Sequence, residues 1–342
     1  MMRGLCAALG GIVDPISLVG GSIAAGVGVS GLTGSSFWLH LFAVVLFIFG
    51  LFLTFRKTTL EVHGLGQVIL FGPLFFAWPL AVFGMQHFVF LPEVMEGVPA
   101  WMPGHMFWAV FVGIALIAAS LSMITGILTE LAAPMTGVML FLFVLLLYVP
   151  NLIQNPREMA VTQLMRDLSM SGGALALAGT LAAGRGRRFS WLAVLGRYFF
   201  AVAILDFGVE NLLHPDFAPV VPLPELTMPA WVPVHIVWAY LAGAIQVACG
   251  VAMLLNWRTR LTGWIVGIAF FVLTISIYLP REITHPSIEI SGELDYVAQT
   301  LAMSGAALLV AGAQRHKKAE LALVDVRHGL DGDRHSELDR AV

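Results

Sequence analysis

The chain has 342 residues, of which 58% are hydrophobic and only 11% are Asp, Glu, Lys or Arg. Soluble domains carry roughly 25% charged residues, so this composition excludes a soluble enzyme, a disordered chain and a secreted disulfide scaffold. The net charge of −3 points to no nucleic-acid partner; the partner that a mean hydropathy of +0.87 predicts is the lipid bilayer.

The chain opens on Met1-Met2-Arg3, followed by an apolar stretch broken by Asp14 and Pro15. That start is too thin for a cleavable signal. Residues 1–36 form a Gly-rich segment, and its part from Ile16 to Gly34 reads equally as a tenth span, a re-entrant segment or a surface arm. Beyond it, a bilayer core of about 30 Å needs about 20 apolar residues in a helix. Nine segments qualify, near 37–55, 70–90, 106–127, 135–150, 166–183, 191–213, 235–255, 261–279 and 297–312. Backbone groups cannot stay unpaired in lipid, so each is expected to be a helix.

Alternate loops hold Arg56 and Lys57; Arg185, Arg187 and Arg188; Arg258 and Arg260; then Arg315, Lys317 and Lys318. The intervening loops hold Glu93 and Glu96; Arg157 and Arg166; Asp216 and Glu225; and Arg281 among several acids. The positive-inside rule therefore places the C-terminal tail in the cytoplasm. The expectation is a multi-pass protein of a cell membrane of the bacterial inner-membrane kind, its polar tail over 313–342 frayed or disordered.

Motifs recur in order. Phe83-Gly84 matches Phe207-Gly208. The loop Pro99-Ala100-Trp101-Met102-Pro103-Gly104-His105 matches Pro229-Ala230-Trp231-Val232-Pro233-Val234-His235. Tyr148-Val149-Pro150 matches Tyr278-Leu279-Pro280, and Met170-Ser171-Gly172 matches Met303-Ser304-Gly305. The predicted fold is thus an all-α polytopic membrane protein with about nine transmembrane helices. An extra helix and loop over 37–68 precede two tandem four-helix units, 69–183 and 191–312, joined by a basic linker at 184–190. An even number of spans per unit makes the duplication parallel, with a pseudo-twofold axis along the membrane normal.

A four-helix unit whose first helix ends in a Phe-Gly-x-Glu-His-Phe-like pattern, followed by a Pro-rich loop with Trp, resembles the DoxX-like membrane protein family. The resemblance covers both units and leaves out the extra helix and the tail. That family includes small subunits related to thiosulfate:quinone oxidoreductase. It implies a membrane component of a quinone-linked oxidoreductase, with quinone as the implied cofactor and a redox partner subunit. The family's Glu-His pair is divided here: Gln86-His87 keeps the His and Glu210-Asn211 keeps the Glu. Gln86 and Asn211 depart from the pattern, leaving a composite site or one retained half.

Ionisable groups within a bilayer mark functional sites by default. Asp206 and Glu210 lie four residues apart on one helix face, where the first unit has Val82 and Gln86. The pair belongs to the second unit alone, which favours a function there over a requirement of the fold; a hydrogen-bonded or interfacial pair is the structural reading. Glu210, Asp206 and His235 are the candidate catalytic residues. Gln86, His87, His105, Asn211, Trp101 and Trp231 are candidate binding residues. His40, His87, His105, His214, His235 and His285 all fall near the outer face, where wet hydrogen bonding explains them as well as proton transfer. No ligand spacing supports haem or a metal, and Cys6 and Cys249 form no CxxC. Trp101 and Trp231 suit the headgroup region, Arg197 is expected to snorkel, and Gly172, Gly173, Gly305 and Ala306 mark close-packing faces. A small-solute or proton transporter and a non-catalytic membrane scaffold stand beside the quinone-linked reading.

Overall fold

A computed structural model describes residues 34–58, 68–154, 158–186, 188–216, 232–286, 289–290 and 292–313, and ten α-helices occur among these described residues. The segment 1–33, Trp231 and the tail from Gln314 lie outside the described residues. In chain order the helices are α1 (Gly34–Thr58), α2 (Gly72–Val89), the short α3 (Leu91–Glu96), α4 (His105–Thr125), α5 (Thr129–Gln154), α6 (Glu158–Ala183), α7 (Leu192–Leu213), α8 (His235–Leu254), α9 (Thr259–Thr284) and α10 (Glu293–Ala313). No strand occurs among the described residues.

Seven of these helices are long and apolar enough to cross a membrane: α1, α4, α5, α7, α8, α9 and α10. The chain is an integral membrane protein of the polytopic helical class. The other two long helices, α2 and α6, hold polar residues for a reason visible in their surroundings. Most of α2 is buried, including Phe76, Ala77, Leu80 and Val82, and so is α6 from Ser169 to Gly179. A helix walled in by protein has no lipid contact to satisfy, so Pro79, Gln86, Arg166 and Asp167 are tolerated there.

Two helices run past their expected ends for one shared reason. Expected over 135–150 and 261–279, they span Thr129–Gln154 and Thr259–Thr284. A Pro inside a helix lacks a donor and presses on the carbonyl four residues back. Here each Pro follows a π-helical stretch, Val144–Tyr148 before Pro150 and Thr274–Tyr278 before Pro280. The wider turn absorbs the ring and the helix continues.

The two halves share local geometry. Gly104 (φ 73°) and Val234 (φ 52°) take the left-handed conformation directly before His105 and His235, and Leu128 (φ 57°) and Arg258 (φ 46°) take it directly before Thr129 and Thr259. A Cβ on Gly84 would stand 2.8 Å from the Gly113 carbonyl oxygen, and one on Gly208 would stand 2.9 Å from that of Gly243. Glycine at these crossings brings α2 onto α4 and α7 onto α8. The Ser171 hydroxyl donates to the Gly137 carbonyl oxygen and the Ser304 hydroxyl to that of Gly267, each at 2.7 Å.

Contacts between the halves are reciprocal. Gly172 of α6 packs against Gly196 and Phe200 of α7, and Gly305 of α10 packs against Phe75 and Phe76 of α2. Gly173 meets Ala306, the residue at the same place in the other half. Helices α2, α6, α7 and α10 thereby form the centre. Outside it, α1 is tied on by the Trp78 indole N–H, which donates to the Ala43 carbonyl oxygen at 2.7 Å, and by His40 against Glu282 at 2.5 Å. Arg197, expected to snorkel, is buried with its guanidinium 4.7 Å from the centre of the Tyr198 ring.

Candidate functional site: an amphipathic cavity in the first half

A cavity of about 550 Å³ lies among α2, α4, α5, α6 and the start of α10. Its polar end is made where these helices reach the same surface. α2 brings Gln86 and His87 in its last turn, α5 brings Tyr148, α6 brings Gln163, Arg166 and Asp167, and α10 brings Asp295 and Gln299. The deeper wall is apolar, with Ala109, Val112, Leu116, Met139, Leu140 and Met170. Phe111 on α4 and Leu142 and Leu146 on α5 line the same space yet are exposed on the outer surface. The cavity therefore opens sideways between α4 and α5, two of the helices apolar enough to cross a membrane.

The polar end is a connected network. Tyr148 donates its hydroxyl to Asp167, whose carboxylate is buried, and the Arg166 charge faces both Asp167 and Asp295. The Gln299 amide N–H donates to Asp295. Gln86 hydrogen-bonds to Asp295 as well and donates to the Ile290 carbonyl oxygen at 3.3 Å. The His87 Nδ1–H donates to the Phe83 carbonyl oxygen at 2.8 Å, which leaves Nε2 as the acceptor of a neutral ring. Of the seven buried side-chain atoms without a partner among the described residues, two belong to the cavity lining: Arg166 Nε, a donor, and Gln299 Oε1, an acceptor. Orphans of this kind are rare in native interiors and call for an explanation.

The corresponding positions of the second half carry uncharged hydrogen-bonding groups. Asn211 donates its amide to Gln246 Oε1 at 2.7 Å, and both residues are buried. Phe207 and Tyr278 are buried, and Thr274 hydrogen-bonds to Thr300 at 2.8 Å. Thr300 stands where the first half has Asp167, and Gln299 where it has Arg166.

The residues singled out from sequence are distributed as follows. Gln86 and His87 line the cavity. Asn211 is in the second-half amide pair. His105 lies at a separate surface depression with Met95 and Glu96, and Trp101 is exposed. Glu210, half-buried on α7, is 3.6 Å from His214. Asp206, one turn deeper, has one buried oxygen without a partner, and His235 is exposed at the start of α8.

Arg166 and Asp295 escaped the sequence reading because they fell at or outside the expected helix ends, and Tyr148, Asp167 and Gln299, inside expected helices, had no partner there to single them out. α6 begins at Glu158 rather than near 166, and α10 at Glu293 rather than near 297. The signal that could have found them is the difference between Arg166-Asp167 and Gln299-Thr300 at equal distances from the two Met-Ser-Gly motifs. Among the described residues no three His, Cys, Asp or Glu side chains gather to hold a metal ion. No protein-family model matches the chain, and neither a curated protein nor a solved structure matches it.

Proposed function

We propose that the chain is an internally duplicated, nine-span membrane protein of DoxX-like kind that holds a membrane-soluble molecule in its first half, as the membrane component of a quinone-linked oxidoreductase system. The observation that carries this reading is the cavity, apolar along its wall, polar at one end and open toward lipid. Small-molecule sites are commonly concavities of about 300–1,000 Å³ with few, placed polar groups. A quinone ring and the first part of its tail match that space. The Arg166 guanidinium would lie beside a ring oxygen, with Tyr148 and Gln86 holding the carboxylates of Asp167 and Asp295 that face it. A bound quinone would supply electron and proton acceptance, and a partner subunit would supply the electrons.

Connectivity supports nine spans. α2 ends and α4 begins at the surface where the cavity is polar, whereas α4 ends and α5 begins at the opposite one. For α1 to span, α2 must cross as well; for α5 and α7 to span in sequence, so must α6. At about 1.5 Å per residue, the 18 residues of α2 reach about 27 Å, close to the hydrocarbon thickness. The reciprocal Gly172–Gly196 and Gly305–Phe76 contacts, with Gly173 on Ala306 between them, support a pseudo-twofold axis through the centre, since equivalent residues meet on such an axis. The basic loops support a cytoplasmic C-terminus in a membrane of the bacterial inner-membrane kind.

The test is purification of the full chain in mild detergent, followed by solvent extraction, an optical spectrum and mass spectrometry. A stoichiometric isoprenoid quinone is expected, and its loss in Leu116→Trp, which fills the cavity wall. A protein that carries no quinone and takes up none when a short-tailed quinone is added would overturn the reading.

A further inference from the structure

We infer that Arg197, near the basic surface of the second half, holds the phosphate of an anionic phospholipid. The inference rests on α7 crossing the membrane and is independent of the cavity, which lies in the first half.

Arg197 is 5% exposed, yet among the described residues its guanidinium has no hydrogen bond and no ion pair. A buried charge without a partner is costly, so native structures pair such charges. The Nε nitrogen is enclosed, and no ligand reaches it. The Nη end is different. It lies against the Tyr198 ring, with the guanidinium carbon 4.7 Å from the ring centre, and that ring is 42% exposed. Neither Nη nitrogen is among the enclosed atoms. An acceptor can therefore approach along the Tyr198 ring from the membrane side.

Depth decides what brings the acceptor. Arg197 lies five residues into α7 from Leu192, about 8 Å along the helix axis. Just before α7, Phe189 and Trp191 are exposed, as aromatic side chains are at a headgroup boundary. A guanidinium extended from that depth reaches the lipid phosphates, whose oxygens match its planar fork. The neighbouring helix adds to the site. α8 crosses α7 at Gly250 and Leu205, and from there both run to the basic surface. The turn that follows Leu254 presents the exposed Trp257, with the Arg258 guanidinium carbon 5.9 Å from its ring centre. Among the described residues the acid at this surface is Glu130, and it already pairs with Arg185. A lipid of net negative charge supplies the counter-charge that this surface lacks.

The test is native mass spectrometry of the full-length protein in mild detergent, titrated with phosphatidylglycerol, phosphatidylcholine or inorganic phosphate. Phosphatidylglycerol is expected to bind about tenfold tighter than phosphatidylcholine, the scale of a charge-assisted contact, and inorganic phosphate should not displace it. Arg197→Met should bring the two lipids to one affinity. Arg56→Met, which removes an equal charge from the same surface on the distant α1, should leave the preference intact. Arg258→Met changes an exposed side chain, so it keeps the test usable if the Arg197 variant fails to fold; it should weaken phosphatidylglycerol several-fold.

Equal affinities of the two lipids for the unaltered protein would overturn the inference. So would a phosphatidylglycerol affinity that neither the Arg197 nor the Arg258 variant moves. An equal loss in Arg56→Met and Arg197→Met would show the diffuse charge of the surface in place of a site. Displacement of the lipid by inorganic phosphate would assign Arg197 to a soluble anion and overturn the lipid as its occupant. None of these results bears on the cavity, whose test is quinone retention.

Discussion

Arg166 is the residue on which the polar end depends. It is the cation between Asp167 and Asp295, so removing it leaves two carboxylates in a poorly solvated pocket with hydrogen bonds but no opposite charge. Breaking a fully buried pair from one side costs about 3–5 kcal/mol. Arg166 is half-buried, and solvent screening reduces that figure. Arg166→Met is expected to destabilise by about 2 kcal/mol, and Arg166→Met with Asp167→Asn by less, because the second change removes one uncompensated charge. Thermal melts in one detergent check this; a double variant as unstable as the sum of the singles would show that the charges do not communicate. At this scale the sequence was half legible. Gln86 and His87 were found through the divided Glu-His motif. Arg166 and Asp295 were not, because a charge within a turn of an expected helix end reads as loop, and only packing shows that the helix starts earlier.

Helix ends carry the clearest record of the duplication. The left-handed residue before α4 is Gly104, whereas the one before α8 is Val234. Glycine adopts that conformation freely, and a β-branched side chain there is a genuine outlier. Val234 is exposed and packs little, so the strain has no compensating contact. Val234→Gly is therefore expected to stabilise by about 1 kcal/mol, partly offset by the greater freedom of the unfolded chain, and to raise the melting temperature without changing ligand uptake. An unchanged or lower melting temperature would mean that Val234 is not strained. The helices themselves were legible from apolar length, because lipid permits little else. Their ends were not. Tyr-x-Pro reads as a stop, yet the π-helical turns before Pro150 and Pro280 carry α5 and α9 onward, and a local backbone adjustment of that kind leaves no mark on hydropathy.

For the whole molecule, sidedness joins the charge pattern to the cavity. Arg185, in the turn after α6, pairs with Glu130 at the start of α5 at 2.5 Å. The α4–α5 turn and the basic linker therefore share one surface. The polar end of the cavity, with Gln86, Tyr148 and Asp295, lies at the far ends of these helices. Basic residues crowd the first surface: Arg185 and Arg188 after α6, Arg258 and Arg260 around the α8–α9 turn, and Arg56 at the end of α1. If this basic surface is the cytoplasmic one, as the positive-inside rule predicts, the polar end of the cavity faces the opposite side. Cysteines placed at Ser190 and Glu225 in a background lacking Cys6 and Cys249 should label from opposite sides of intact cells with a membrane-impermeant maleimide, Glu225→Cys directly and Ser190→Cys only after permeabilisation. Labelling of both from outside would require an even number of crossings between the two sites, in place of the single passage of α7. It would reverse the orientation of one half, remove the parallel relation between the halves, and place the Arg166 cluster on the cytoplasmic surface instead.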